Sequence, residues 1–238
     1  MPSALNVPEV ARVGRLTHGF FEDFQEFVTG DLWTVTASNS GGVTIGDAAG
    51  GIATVDPSGT TIADNDETYL HTTKELFLLA AEKPLDFAAR IKFAEAATNA
   101  ANVAVGLMDA VAANSIQDNG AGPDGTFDGA VIYKVDGGTV WRFKTSNATT
   151  ATDSISTTTA GGSSYQTLEI RIRHQDAANC SLVPLVDGVQ LKTSGGVLIE
   201  HKLAYSGLAE MAVVLGLKSG STTAESLLVD YVSCWQKR

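Results

Sequence analysis

The chain has 238 residues, 44% of them hydrophobic and 18% charged, enough apolar material for a sizeable core and too little polarity for a disordered chain. A formal charge of −11 repels a phosphate backbone or an anionic lipid surface, so nonspecific binding to nucleic acid or membrane is not expected. Two cysteines, Cys180 and Cys234, are too few for a disulfide scaffold or a zinc site and are expected to be reduced and packed.

Residues 1–19 read as an N-terminal arm, interrupted by Pro2, Pro8, Gly14 and Gly19 and made locally basic by Arg12, Arg15 and His18. Met1–Gly19 has no apolar core of signal-peptide length, and no run reaches membrane-spanning length. The expected location is therefore the cytoplasm, or a larger assembly built there. A single domain, residues 20–238, is expected to follow. It opens on Phe20, Phe21, Phe24 and Phe27, a spacing that places several rings on one side of a short turn or helix.

Beyond Leu32 the signals are those of strands. Leu85, Phe87, Ala89, Ile91 and Phe93 alternate with Asp86, Arg90 and Lys92, and Leu168, Ile170 and Ile172 alternate with Glu169, Arg171 and Arg173. Period-two alternation is the pattern of a half-buried antiparallel strand, and it predicts an inward His174. Val103–Leu107 and Met211–Leu217 carry large side chains on one face and mostly Ala or Gly on the other. That pattern predicts central strands whose second face packs closely or forms a shallow concavity. Asp187-Gly188 between apolar runs predicts a tight hairpin, Tyr133–Trp141 predicts a second, and Leu227–Trp235 predicts a closing strand. The polar stretches Asn114–Asp128 and Thr145–Ser164 read as surface loops.

The run Leu168–His174 followed by Leu182–Leu191, a strand, an Asp-Gly turn and a strand, resembles the late hairpins of concanavalin A-like, laminin-G-like jelly rolls. That resemblance implies an all-β, two-layer antiparallel sandwich. A second resemblance is to structural proteins of tailed bacteriophages. Phe21-Glu-Asp-Phe24, Trp33-Thr-Val, Gly50-Gly-Ile, Ala63-Asp-Asn-Asp66, Phe87–Lys92, Val105-Gly-Leu107 and Val229-Asp-Tyr231 carry it, in that order. It implies a virion protein without enzymatic turnover, a capsid decoration or fibre component. Its expected partners are the major capsid protein or other virion proteins, with self-association into a homo-oligomer. Arg12, Arg15, Phe20, Phe21, Phe24 and Phe27 are the expected attachment residues.

Glycoside hydrolysis requires two carboxylates flanking the bond, as in the Glu-x-Asp-x-Glu strand of jelly-roll glucanases. No strand here has that row. No Gly-x-Ser-x-Gly elbow and no phosphate-binding glycine loop are present. The loop Asp118–Asp128 is the candidate metal site, with Asp118, Asn119, Asp124 and Asp128 as oxygen ligands for calcium; the same residue types are ordinary turn formers. Asp64-Asn-Asp66-Glu67 reads first as a turn cap and second as an ion site. Trp33, Trp141 and Trp235 are the candidate stacking rings for the alternative function, a lectin-like carbohydrate-binding module. Of these, Trp141 shares a strand face with Phe143 and is expected in the core.

Overall fold

The structure is a computed structural model that describes residues 16–46, 50–59 and 61–238. Its strands in chain order are β1 (Thr17–Glu22), β2 (Trp33–Ala37), β3 (Gly42–Gly46), β4 (Ile52–Asp56), β5 (Glu67–Thr72) and β6 (Leu85–Glu95). There follow β7 (Asn102–Met108), β8 (Ile116–Gln117), β9 (Gly122–Pro123), β10 (Asp128–Lys134), β11 (Val140–Asn147) and β12 (Ala151–Thr159). The last are β13 (Gln166–Asp176), β14 (Asn179–Val186), β15 (Val189–Gln190), β16 (His201–Ala204), β17 (Ala212–Lys218) and β18 (Glu225–Lys237).

Two antiparallel sheets stack face to face. The first runs β15-β14-β13-β6-β18-β4-β3, with β1 also on β18 and β16 on β14; the second runs β12-β11-β10-β7-β17-β5-β2. Neighbours in sequence are often not neighbours in the sheet, since β6 lies between β13 and β18. The alternating rows read from the sequence are the facing walls of the core. Leu85, Phe87, Ala89, Ile91 and Phe93 are buried, as are Leu168, Ile170 and Ile172, and opposite them Val103, Val105, Leu107, Val213, Leu215 and Leu217. The Asp187-Gly188 turn has φ of 51° and 75°, the two positive values that the tight hairpin between β14 and β15 requires.

Several expectations are corrected. The opening phenylalanines lie on strand β1 and the turn after it, and not on a helix, so alternation separates them: Phe20 faces in and Phe21 out. Strand pairing begins at Thr17, opposite Lys237, three residues before the expected start of the body. Within the expected loop Thr145–Ser164, Ala151–Thr159 is an edge strand on β11. Its threonines are β-branched and suit a pleated backbone, but mostly solvent covers both its faces, so no apolar row marked it. His174 is exposed at the end of β13, stacked on Tyr205 and 3.2 Å from Glu82.

The buried histidine is His201, 4% exposed. Its Nδ1 lies 3.0 Å from Thr145 Oγ1 and its Nε2 2.9 Å from Ser154 Oγ, so one ring nitrogen donates and the other accepts. Burial disfavours the imidazolium and lowers the pKa to about 4. The unfolded ring has a pKa near 6.5, so between these values the unfolded chain binds the extra proton. Stability from the neutral ring is then fully present above about pH 6.5 and lost as pH falls toward 4, on the order of 3 kcal/mol in all. Ring-proton NMR titration is expected to place the His201 midpoint near 4; a midpoint near 6.5 would contradict this burial.

Candidate functional site

The outward face of the second sheet is the first place to look for chemistry, because its central strands carry small residues there. Tyr69, Gly216, Ala104 and Tyr133 lie in register as one row across β5, β17, β7 and β10. A Cβ added at Gly216 would come 2.7 Å from the Tyr69 ring and 3.2 Å from Ile116 Cδ1. One added at Gly122 would come 2.8 Å from the Tyr133 ring, where φ is already +82°. The glycines therefore let two tyrosine rings and the β8–β9 segment lie flat on the sheet. Ile116, Phe127, Met108, Val131 and Val214 complete a second buried cluster on this face. Asn114–Asp128, read as a surface loop, is the cover of that cluster.

Lys218 fastens the cover. It is fully buried at the end of β17, and its Nζ donates to Asn114 Oδ1 at 2.7 Å and to the Ile116 carbonyl at 2.9 Å. Carboxylates of Glu67 and Asp118 lie 3.1 and 2.5 Å away. Glu67 Oε1 accepts from the Asn114 amide at 2.9 Å. Glu67 Oε2 accepts from Tyr69 Oη at 2.6 Å, and that hydroxyl in turn accepts from the Ile116 amide at 2.8 Å. Burial, reinforced by Glu67, pushes the Tyr69 hydroxyl well above its ordinary pKa.

The four candidate metal ligands are not brought together. Asp118 is taken by Lys218. The Asn119 amide donates to Asn65 Oδ1, and Asp124 Oδ1 accepts from the Thr126 amide. Asp128 is buried, its Oδ2 accepting from the Ala209 amide at 2.7 Å. Among the described residues no group of three or more His, Cys, Asp and Glu side chains is placed to hold a metal ion. Calcium needs 6–8 oxygens, and the four residues do not fit it as one site. Asp66 Oδ2 accepts from the Ala63 amide at 2.7 Å, the turn cap expected of that segment.

Of the attachment residues, Arg12 and Arg15 lie outside the described residues. Phe24 is fully buried against Trp33, and Phe20 and Phe27 pack on the core edge. Phe21 alone is open, 59% exposed and stacked on Tyr231.

The outward face of the first sheet is uncovered along β13, β6 and β18. Arg171, Asp86 and Trp235 lie in one cross-strand row, and Glu169, Ala88 and Ser233 in the next. They bound an open groove of about 360 Å³ with Arg173 at its end. Arg171 pairs with Glu169 at 2.8 Å and Arg173 with Asp86 at 2.5 Å. Trp33 and Trp141 are buried, with indole N–H groups donating to Glu22 and Gln166. Trp235 is 40% exposed.

No family model matches the sequence, and no curated protein matches it. Solved structures match in fold. An endo-1,3-β-glucanase from Streptomyces sioyaensis is 14% identical over 98% of this chain and 99% of its own, with a TM-score of 0.58. An endo-β-1,4-glucuronan lyase from the fungus Trichoderma reesei is 11% identical over 90% and 94%, with a TM-score of 0.58. The carbohydrate recognition domain of Emp46p, in its metal-free form, is 11% identical over 90% and 94%, with a TM-score of 0.57. The fold is thus the concanavalin A-like jelly-roll sandwich.

Replacing Lys218 by Met leaves Glu67 buried without its cation, a change that costs roughly 3–5 kcal/mol. Urea melts are expected to show that loss, and limited proteolysis to cut K218M first between Val111 and Phe127. Cleavage elsewhere first, or an unchanged midpoint, would contradict the role given to this lysine.

Proposed function

We propose that this chain is a non-enzymatic structural protein of a bacteriophage virion, a capsid decoration or fibre component that acts by protein–protein contact and self-associates. One observation carries the non-enzymatic part. The outward row of β7 is Ala104, Gly106 and Met108 under a segment of the chain's own backbone, where a hydrolase would need an open cleft and two carboxylates. On the other sheet the two groove carboxylates, Asp86 and Glu169, are each held by an arginine. The fold shared with a glucanase and a lyase does not bring their chemistry with it, since function resides in the site.

The virion part is supported by the ordered resemblance of seven segments to phage structural proteins. The attachment residues are Arg12 and Arg15, together with the exposed Phe21, which stacks on the half-buried Tyr231. Aromatic and arginine side chains are the residue types enriched in interface hot spots. The partner is the major capsid protein or another virion protein, and assembly takes place in the host cytoplasm.

A second reading, a carbohydrate-binding module, is favoured by the exposed Trp235 in a polar groove and by the carbohydrate recognition domain that has this fold. The potassium-bound form of the same domain supports a metal ion in that reading, but not at Asp118, Asn119, Asp124 and Asp128 as one site. The purified protein is expected to co-sediment with empty capsids of the phage that encodes it, and a variant lacking residues 1–15 to remain in the supernatant. Failure of the full chain to sediment, or glycosidase activity, would overturn the virion reading. A glycan array with and without chelator tests the second.

A further inference from the structure

The outward face of the first sheet holds a combination that stability does not account for. A tryptophan 40% exposed gives up much of the burial that its ring offers. The two arginine–carboxylate pairs beside it have side chains exposed by 46% for each arginine and by 19% and 58% for Glu169 and Asp86. Such exposed pairs contribute little to folding. Yet the three strands bring them to one place: β13 supplies Glu169, Arg171 and Arg173, β6 supplies Asp86, and β18 supplies Trp235.

We propose that this groove is a saccharide subsite for a neutral hexopyranose, with the Trp235 indole as the stacking surface. The inference rests on the carbohydrate-binding reading and assigns its residues. Asp86 stands between Arg171 and Trp235 in their row. In the next row adjacent strands about 4.8 Å apart set the Glu169 and Ser233 backbones roughly 10 Å from each other across Ala88, wide enough for one pyranose ring beside the Trp235 indole. Ala88 and Ser233 keep the floor low. A sugar hydroxyl both donates and accepts; the carboxylates of Glu169 and Asp86 accept its hydrogen bond, and the guanidinium N–H groups donate to its oxygen. The pairs at 2.8 and 2.5 Å hold these groups in place before any ligand arrives. Two cations and two anions leave the groove neutral, which selects an uncharged ring over a uronate or a phosphate. The apolar face of the pyranose covers the indole, as in the mixed apolar and polar lining of small-molecule sites.

The test uses the full chain with methyl glycosides of glucose, galactose, mannose and N-acetylglucosamine, read by ligand-observed NMR and tryptophan fluorescence. Trp235→Ala removes the stacking ring from an exposed position. Ser233→Tyr fills the floor from the solvent side, so loss of binding in a folded variant does not depend on one substitution. Millimolar binding of at least one glycoside is expected, weakened about tenfold or more in both variants with the thermal midpoint unchanged. Binding that both variants retain would overturn the groove while leaving the carbohydrate-binding reading in place. No binding of any probe by the unaltered chain would overturn both.

Discussion

A single buried ammonium decides which face of this sandwich is open. Lys218 ends the outward row of β17, where a charge has no solvent, and an unpaired cation there would cost several kcal/mol. The chain resolves this by bringing Glu67, Asp118, Asn114 and the Ile116 carbonyl around it. Three of these four lie on the segment after β7, so satisfying the lysine and covering the sheet are the same event. Gly216 and Gly122 make the cover fit, and the Tyr69 hydroxyl ties it to the sheet. What would otherwise be a broad aromatic face becomes a second small core.

A related device closes the interior at the same end. Lys134 terminates the inward row of β10 and donates to Glu95 at 2.7 Å and to the Ala101 carbonyl at 2.8 Å. Glu225 lies directly opposite Glu95 across β6 and β18. Burial first, and Glu95 second, raise the Glu225 pKa to about 7. Charged groups thus finish the apolar layers where the strands run out. On the first sheet, by contrast, Phe21, Trp235, Arg171 and Arg173 remain exposed.

The alternating strands, the Asp-Gly turn and the two-layer class were legible in the sequence, because period-two burial and positive φ leave local marks. Even the small-residue faces of β7 and β17 were visible, although close packing, and not an open concavity, is the outcome. The covering segment was misread because Asp, Asn and Gly are turn residues whether a turn faces water or a sheet; only Ile116 and Phe127 hinted at burial. Lys218 had no signal at all, since its four partners are 100 to 151 residues away. The groove was half legible: alternation put Asp86, Glu169 and Arg171 outward, but the order β13-β6-β18 that gathers them is long-range. Phe24 was misassigned to attachment because a ring in a turn, with φ of 52°, gives no period to read.

The closed state of the second face is tested most directly by native-state hydrogen exchange at the Ile116 amide, which donates to the Tyr69 hydroxyl beneath the cover. If Lys218 holds that segment as part of the core, this amide exchanges as slowly as those of β7 and β17, at the free energy of global unfolding. Exchange at the rate of an exposed turn would mean that the face is open in solution and offers a cleft there.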